Sequence, residues 1–220
     1  MNYKQKIENK KQSYKGEVNI SEQKIYMKAN KHLKSLNLAS KALQVGDKIP
    51  NIQLPNALGA LIDVNELLKQ GPMIITFYRG QWCPFCNLEL MTYQEMFEDI
   101  QKINGQIVAI SPDFPDQSLS LKEKQQLAFP ILSDIDNNVA KLFKLVFKVD
   151  QDVVDVYQKK GFELNKAQNK DYYELPMPAT YVVDQKGIIQ LAYVDELYVN
   201  RLEPQEAIDK LKSLIGGQYE

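Results

Sequence analysis

The chain has 220 residues, of which 44% are hydrophobic and 25% are charged, and its formal net charge at pH 7 is -1. A chain of this size can bury the core of a globular domain, and its charge balance does not indicate a nucleic-acid-binding surface. No apolar run approaches the ~18 residues that span a bilayer, and residues 1–20 lack the apolar core of a secretory signal, so we expect no membrane partner and a cytoplasmic location.

The N-terminal segment differs in composition from the rest of the chain. Residues 1–44 are rich in Lys, Gln and Asn, and apolar positions such as Ile25, Leu33 and Leu36 have the spacing of weak amphipathic helices. The sequence therefore predicts an N-terminal helical extension over 1–44, followed by a domain over 45–220. A partly disordered, solvated arm is the alternative interpretation of the same composition.

From residue 45 onwards, β-prone runs alternate with helical patterns. The run MIITFY at 73–78 is typical of a strand that is buried on both faces. Alternating strands and helices predict parallel pairing, and a final hairpin makes the sheet mixed, so the expected fold is α/β with a central mixed sheet flanked by helices. The other predicted elements are a short helix at 63–69, a helix from 84 to about 104, a strand at 106–111, a helix at 115–127, a strand at 129–133, a helix at 137–145, an irregular stretch at 150–176, a hairpin of 179–184 and 188–194, and a helix at 204–215.

The only two cysteines, Cys83 and Cys86, lie between the first long strand and the helix that follows it. A disulfide between them closes so short a loop that it would add little stability to the fold. A structural zinc site needs four ligands, and the one histidine, His32, is distant in sequence, so we predict no metal and no cofactor. In a reducing compartment such a pair is more typical of catalysis or redox sensing.

The local sequence predicts different chemistry for the two sulfurs. Pro84 suits the first helical position, which makes Cys83 the N-cap, where unpaired N–H groups and the helix dipole favour a thiolate. Arg79 adds a nearby cation, and we predict that it is catalytic. Cys86, one turn later, is predicted to be less exposed, less acidic and placed to attack a sulfenic acid or mixed disulfide on Cys83. Simple burial of both as small apolar residues beside Trp82 is the alternative.

Four segments resemble a known family: FYRGQWCPFCNLEL, VAISPDFPDQSLSLKEK, FPILSD and LPMPATYVVDQKGII. They are similar to the alkyl hydroperoxide reductase/thiol-specific antioxidant family, in particular to its peroxiredoxin-like members with a Cys-Pro-x-Cys site. The resemblance runs from about residue 45 to residue 214. It implies a thioredoxin-like fold with redox-active Cys83 and Cys86, and a cis-proline at Pro178 beside the active site. The residues expected to support this site or bind substrate are Tyr78, Trp82, Pro84, Pro178 and Thr180.

The sequence departs from the peroxiredoxin pattern in two places. Gly80 stands three residues before Cys83, where the family carries a Thr whose hydroxyl helps to bind peroxide. Residues 177–179 lack the Arg that these enzymes carry before the later strand. Arg79, the helix N–H groups and Thr180 are candidate replacements, although a β-branched residue is also ordinary in a strand.

The second arginine, Arg201, matches a position at which relatives often carry Arg. The sequence leaves its role open. A surface ion pair with Glu203 or Asp195, which would contribute little stability, is one expectation.

Three functions are compatible with these features. The resemblance favours a thiol peroxidase, in which a peroxide oxidises Cys83 to a sulfenic acid, Cys86 closes a disulfide and a thioredoxin-type reductant restores both thiols. A thiol–disulfide oxidoreductase acting on protein disulfides is favoured by the Trp-Cys-Pro-Phe-Cys string and Pro178, and the missing Thr removes support from the peroxidase. A redox sensor or binding module that uses residues 1–45 as a partner surface is the third. A homodimer is left open, because no residue specifies one.

Overall fold

A computed structural model describes residues 2–162 and 173–216 of the protein. Its helices and strands are numbered here in chain order, and one short 3-10 helix (Ala39–Lys41) precedes the first strand. The elements are α1 (Tyr3–Glu17), α2 (Ile20–Ser35), β1 (Gln53–Pro55), β2 (Leu61–Asp63), α3 (Val64–Leu68), β3 (Met73–Phe77), α4 (Pro84–Glu95), α5 (Phe97–Lys102), β4 (Gln106–Ser111), α6 (Pro115–Gln125), β5 (Ile131–Ser133), α7 (Asn138–Leu142), β6 (Val146–Lys148), α8 (Gln151–Lys159), β7 (Glu174–Pro176), β8 (Ala179–Val183), β9 (Ile189–Val194) and α9 (Pro204–Gly216).

Five strands form the central sheet in the order β5-β4-β3-β8-β9. Strand β3 pairs in parallel with β4, and β4 with β5, whereas β8 runs antiparallel to both β3 and β9. Every residue of β3 is buried, because this central strand is covered on both faces of the sheet. The predicted α/β class, the mixed sheet and the final hairpin are therefore confirmed.

The N-terminal segment forms two helices that pack on the domain. Each helix begins at an asparagine N-cap with a capping box, Asn2 for α1 and Asn19 for α2. Tyr3 and Ile7 of α1 are buried in the same apolar cluster as the two cysteines, and α2 lies against α8. The prediction of N-terminal helices is confirmed, and this packing does not fit a solvated arm.

The helix after the cysteines differs from its prediction in extent and in its buried face. Met96 interrupts the predicted 84–104 helix, since its backbone (φ -105°, ψ 4°) leaves the helical region and separates α4 from α5. Met91, one of the apolar residues whose spacing predicts the buried face of this helix, is 46% exposed. The face that α4 buries contains Cys86, Leu90 and the charged Glu89 instead. The buried face of α4 therefore differs from the predicted one, and it places the carboxyl group of Glu89 in the core beside the cysteines.

The irregular stretch predicted at 150–176 is wrong for residues 151–159, which form α8, and for residues 174–176, which form β7. The apolar positions of α8, among them Val153 and Tyr157, are buried on one side of an amphipathic helix. Residues 163–172 of the same stretch lie outside the described residues. None of the helices in the described residues is both long and apolar enough to cross a membrane.

Candidate active site

Cys83 lies at the junction between β3 and α4, as the sequence predicts. It is the N-cap of α4, with an extended backbone (φ -85°, ψ 110°), and Pro84 begins the helix. The backbone N–H of Cys83 donates to the carbonyl of Gly80 at 3.0 Å, which closes a turn before the helix. Both cysteines are free thiols and both are fully buried, so the prediction that Cys83 would be the more exposed is wrong. Residues of α1 share their core cluster, which the sequence alone did not indicate.

The two thiols differ in acidity in the predicted direction. Burial by itself raises the pKa of Cys83, but a hydrogen bond from the Cys86 thiol and the positive charges of Arg79 and Arg201 outweigh it and lower the pKa to about 6. Burial and the neighbouring Cys83 thiolate raise the pKa of Cys86 well above its ordinary value. At neutral pH Cys83 is therefore the thiolate, and Cys86 is the thiol that faces it.

Arg79 is held in an aromatic enclosure next to Cys83. Its guanidinium carbon lies 4.9 Å from the ring centre of Trp82 and 4.3 Å from that of Tyr198. Its Nη2 donates a hydrogen bond to the Tyr157 hydroxyl at 2.8 Å. These contacts fix a cation that is only 4% exposed, and its charge lowers the pKa of Cys83.

A second cation lies on the side of Cys86, and the sequence did not reveal its partners. Nη2 of Arg201 donates to the sulfur of Cys86 at 3.2 Å, and its Nε lies 2.9 Å from Oε2 of Glu89. The other carboxylate oxygen of Glu89 accepts a hydrogen bond from the Thr180 hydroxyl at 3.1 Å. The expected surface pairing of Arg201 with Glu203 or Asp195 is wrong, because Arg201 is buried with Glu89 instead. No pattern of spacing links residues 115 positions apart, so only the fold reveals this cluster.

The loop before Cys83 is anchored at Gln81, on both sides of its peptide backbone. The backbone N–H of Gln81 donates to Asp113 at 2.7 Å, and the side chain of Asn87 donates to the Gln81 carbonyl at 2.8 Å. Gly80 adopts a φ of +141°, and an added Cβ would lie 2.8 Å from Asp113 Oδ1. Glycine therefore replaces the family threonine at a position where this backbone excludes a side chain.

The remaining predicted site residues surround the cysteines in different roles. Tyr78 is fully buried at the end of β3, and Trp82 packs against Tyr157 with ring centres 5.5 Å apart. Pro178 lines a cavity of about 40 Å³ together with Arg79, but the described residues contain no cis peptide bond, so the expectation of a cis-proline is wrong. The hydroxyl of Thr180 contacts Glu89, which leaves it turned towards the Cys86 side of the site.

Among residues 2–162 and 173–216, no group of three or more His, Cys, Asp and Glu side chains is arranged to hold a metal ion. The reactive groups that the site brings together are the two sulfurs, the two arginines and the buried carboxyl groups.

The chain is similar to known proteins over most of its length. The chain is 25% identical over 170 residues to a chloroplastic peroxiredoxin Q of Populus jackii, covering 77% of this chain and 67% of that protein. It is 24% identical over 152 residues to a putative peroxiredoxin bcp of Coxiella burnetii, covering 69% and 89%. The crystal structure of peroxidoxin BcpB from Mycobacterium tuberculosis superposes with a TM-score of 0.63 at 20% identity, covering 78% of this chain and 98% of that one, which supports the thioredoxin-like fold of peroxiredoxins.

The family model described as the AhpC/TSA family matches residues 45–192. This match includes both cysteines, Arg79 and all five strands of the central sheet apart from the end of β9. It covers more than half of the chain, and so the chain belongs to the AhpC/TSA family.

Proposed function

We propose that the protein is a thiol-dependent peroxidase in which Cys83 reacts with peroxide and Cys86 resolves the product. The observation that carries the proposal is the buried pair itself. Cys83 has its pKa lowered to about 6, and the thiol of Cys86 is hydrogen-bonded to it. Membership of the AhpC/TSA family and similarity to proteins named peroxiredoxin support the same activity.

The reaction needs only the two sulfurs and an external reductant. The Cys83 thiolate attacks one peroxide oxygen, an S–O bond forms, the O–O bond breaks, and the leaving oxygen takes up a proton as water or an alcohol. Cys86 then displaces hydroxide from the sulfenic acid on Cys83 to form the disulfide. A thioredoxin-type dithiol reduces that disulfide and returns both thiols.

Arg79 is the candidate for activating the peroxide. Its charge favours the thiolate. The rings of Trp82, Tyr157 and Tyr198 surround the guanidinium group and hold it in place. A fixed cation close to the thiolate can also stabilise the negative charge that develops on the leaving oxygen. We infer that it takes over part of the role of the hydroxyl that Gly80 lacks.

A thiol–disulfide oxidoreductase is the second candidate, because a one-turn Cys-Pro-Phe-Cys pair at a helix N-terminus also suits disulfide exchange. The burial of both sulfurs argues against it as the main activity. A small peroxide can oxidise Cys83 without access for a folded protein, so only the reducing half of the peroxidase cycle needs the site to open, whereas exchange with protein disulfides needs it in both halves.

We also propose a cytoplasmic location, since thiol–disulfide cycling by a lone cysteine pair suits a reducing compartment. A homodimer stays a proposal as well. Size-exclusion chromatography with light scattering on the reduced protein tests it directly.

One coupled assay tests the function. Hydrogen peroxide or an organic hydroperoxide is supplied with thioredoxin, thioredoxin reductase and NADPH, and insulin reduction is measured separately. We expect peroxide turnover that is lost in Cys83→Ser. The matched variant Cys86→Ser should complete one turnover and leave a sulfenic acid on Cys83 that dimedone labels. Insulin reduction without peroxide turnover would favour the second candidate, and neither activity would leave a redox sensor.

A further inference from the structure

Glu89 and Thr180 have no part in the steps above, and Arg201 enters them only through its charge, although Arg201 contacts a reacting sulfur. Arg201 and Glu89 are 3% and 2% exposed at their side chains, so neither charge is solvated. A buried ion pair is a poor source of stability compared with apolar residues of the same volume. Its place beside Cys86 suggests a chemical role.

The geometry joins the thiol of Cys86 to the carboxylate of Glu89 through one guanidinium group. Nη2 of Arg201 is 3.2 Å from the sulfur, and Nε is 2.9 Å from the carboxylate oxygen. Glu89 follows Cys86 by three residues on α4, and side chains at that spacing are neighbours on one helix face. Proton donor and proton acceptor therefore lie on the same side of the helix around a shared cation.

We propose that Arg201 is the catalytic cation for the resolving step and that Glu89 accepts the proton of the Cys86 thiol. The S–H bond of Cys86 breaks and its proton moves to the Glu89 carboxylate, while Arg201 stabilises the new thiolate. That thiolate attacks the sulfur of the Cys83 sulfenic acid, the S–S bond forms, and the S–O bond breaks. The departing hydroxide takes the proton from Glu89 and leaves as water, so no further oxidant or base is consumed.

The charges around Glu89 support this assignment. Burial raises the pKa of Glu89 against the opposing charge of Arg201, which makes it a stronger base than a surface carboxylate. The tyrosines that face it all have their pKa raised by burial and stay protonated, so none competes as a base. The facing groups are Arg201, Thr180, Cys83 and Cys86, together with Tyr3 from α1, Tyr93 from α4 and Tyr193 from β9.

The order of events also follows from the electrostatics. In the reduced protein the negative Cys83 thiolate raises the pKa of Cys86 and keeps it protonated. Oxidation of Cys83 to the uncharged sulfenic acid removes that repulsion, whereas the attraction of Arg201 remains. Cys86 therefore becomes a nucleophile only after Cys83 has reacted with peroxide.

This inference rests on the proposed function, and rapid-quench mass spectrometry separates the two. Reduced protein is mixed with hydrogen peroxide, and the sulfenic and disulfide forms are counted over time with dimedone in the quench. Formation of the sulfenic acid depends on peroxide concentration, and its decay to the disulfide does not. We expect the decay rate of the wild type to rise with pH along the ionisation of Glu89.

Two substitutions and their matched controls read out the role of Glu89. Glu89→Gln should slow disulfide closure by about tenfold or more at pH 7 and remove the limb of the pH–rate profile that follows the ionisation of Glu89. Glu95→Gln, at an exposed site on the same helix, is the control, and its closure rate should stay within about twofold of wild type. Thr180→Val removes a hydrogen bond that lowers the pKa of Glu89, so the limb should move to higher pH and closure on the limb should slow about threefold. Thr76→Val is its control, because Thr76 pairs with Thr180 across the sheet and its buried hydroxyl has no partner among the described residues.

The outcomes are distinct. If no sulfenic acid forms, the proposed function fails. Methyl methanethiosulfonate then replaces peroxide, since it caps Cys83 as a mixed disulfide that Cys86 resolves with release of methanethiol. Closure rates and pH limbs equal to wild type in Glu89→Gln and Thr180→Val overturn the inference with either reagent. If Glu89→Gln does not fold, Thr180→Val is the deciding variant. A pH dependence of its closure rate equal to that of the wild type would then overturn the role of Glu89.

Discussion

Replacement of Arg79 by methionine tests how the protein makes Cys83 acidic. The substitution removes the guanidinium charge and keeps an unbranched apolar chain inside the rings of Trp82, Tyr157 and Tyr198, where a buried charge is replaced by a side chain of similar length. We expect the variant to fold, and we expect its Cys83 to be a weaker acid.

The size of the change follows from the contributions to the Cys83 pKa. Together they lower it from an ordinary 9.0 to about 6, which corresponds to roughly 4 kcal/mol in favour of the thiolate. Burial is the largest single contribution and raises the pKa; among the contributions that lower it, the hydrogen bond from Cys86 is the largest, and Arg79 is next, ahead of Arg201. Assigning Arg79 about one third of the net shift gives a rise of about one pKa unit when Arg79 is lost.

The assay is the rate at which iodoacetamide alkylates Cys83, measured by peptide mass spectrometry as a function of pH. Since only the thiolate reacts, a rise of about one unit from the pKa of about 6 lowers the rate about fivefold at pH 6 and about twofold at pH 7, with no change at pH 9. Arg79→Lys, which retains the charge, is the control and should keep the wild-type midpoint. A folded Arg79→Met protein with an unchanged midpoint would refute the reasoning.

Three further substitutions test the surroundings of the site. Gly80→Ala should lower the free energy of unfolding, measured by urea denaturation, by about 2 kcal/mol or more. The reason is that Gly80 has a φ of +141° and the new Cβ would lie 2.5 Å from Trp82 Nε1. Stability equal to wild type would contradict this. Burial raises the pKa of Asp113 to about 7, so the folded protein holds this proton more tightly than the unfolded chain and loses stability as pH rises from about 4 to 7. The free energy of unfolding of Asp113→Asn minus that of the wild type should therefore be larger at pH 8 than at pH 4, by roughly 4 kcal/mol at most. A difference between the two proteins that does not vary with pH would be evidence against this. Ile7→Ala should loosen α1 and speed alkylation of the cysteines in the reduced protein, and equal labelling rates would show that α1 does not protect them.

The sequence predicts the local part of the site because that part is encoded locally. A buried β-prone run followed by Cys-Pro specifies a strand, an N-cap and a first helical turn, and Cys83 and Pro84 lie there in the structure. The same holds for the final hairpin, whose strands are joined by a short polar turn. Short-range rules of backbone geometry and periodicity are sufficient for such features.

The Cys86 side of the site could not be predicted in this way. Glu89 reads as a polar position of an amphipathic helix, and its burial follows only from α1 and the sheet enclosing that side of α4. Arg201 reaches Cys86 across 115 residues of sequence, so their contact depends on the whole fold. The trans peptide before Pro178 is a similar case, since the isomer is set by the packing around it rather than by the residue type.

The position of α1 over the cysteines affects how fast a reductant can convert the disulfide back to two thiols. A reducing protein must bring its own sulfur into contact with the disulfide, and neither Cys83 nor Cys86 offers any surface for that contact. The reducing protein can therefore reach the disulfide only during brief openings, when α1 moves away or the first turn of α4 unwinds. Under a steady supply of peroxide we expect the frequency of these openings to set the turnover rate, so that substitutions in the N-terminal helices would tune the enzyme without touching its chemistry.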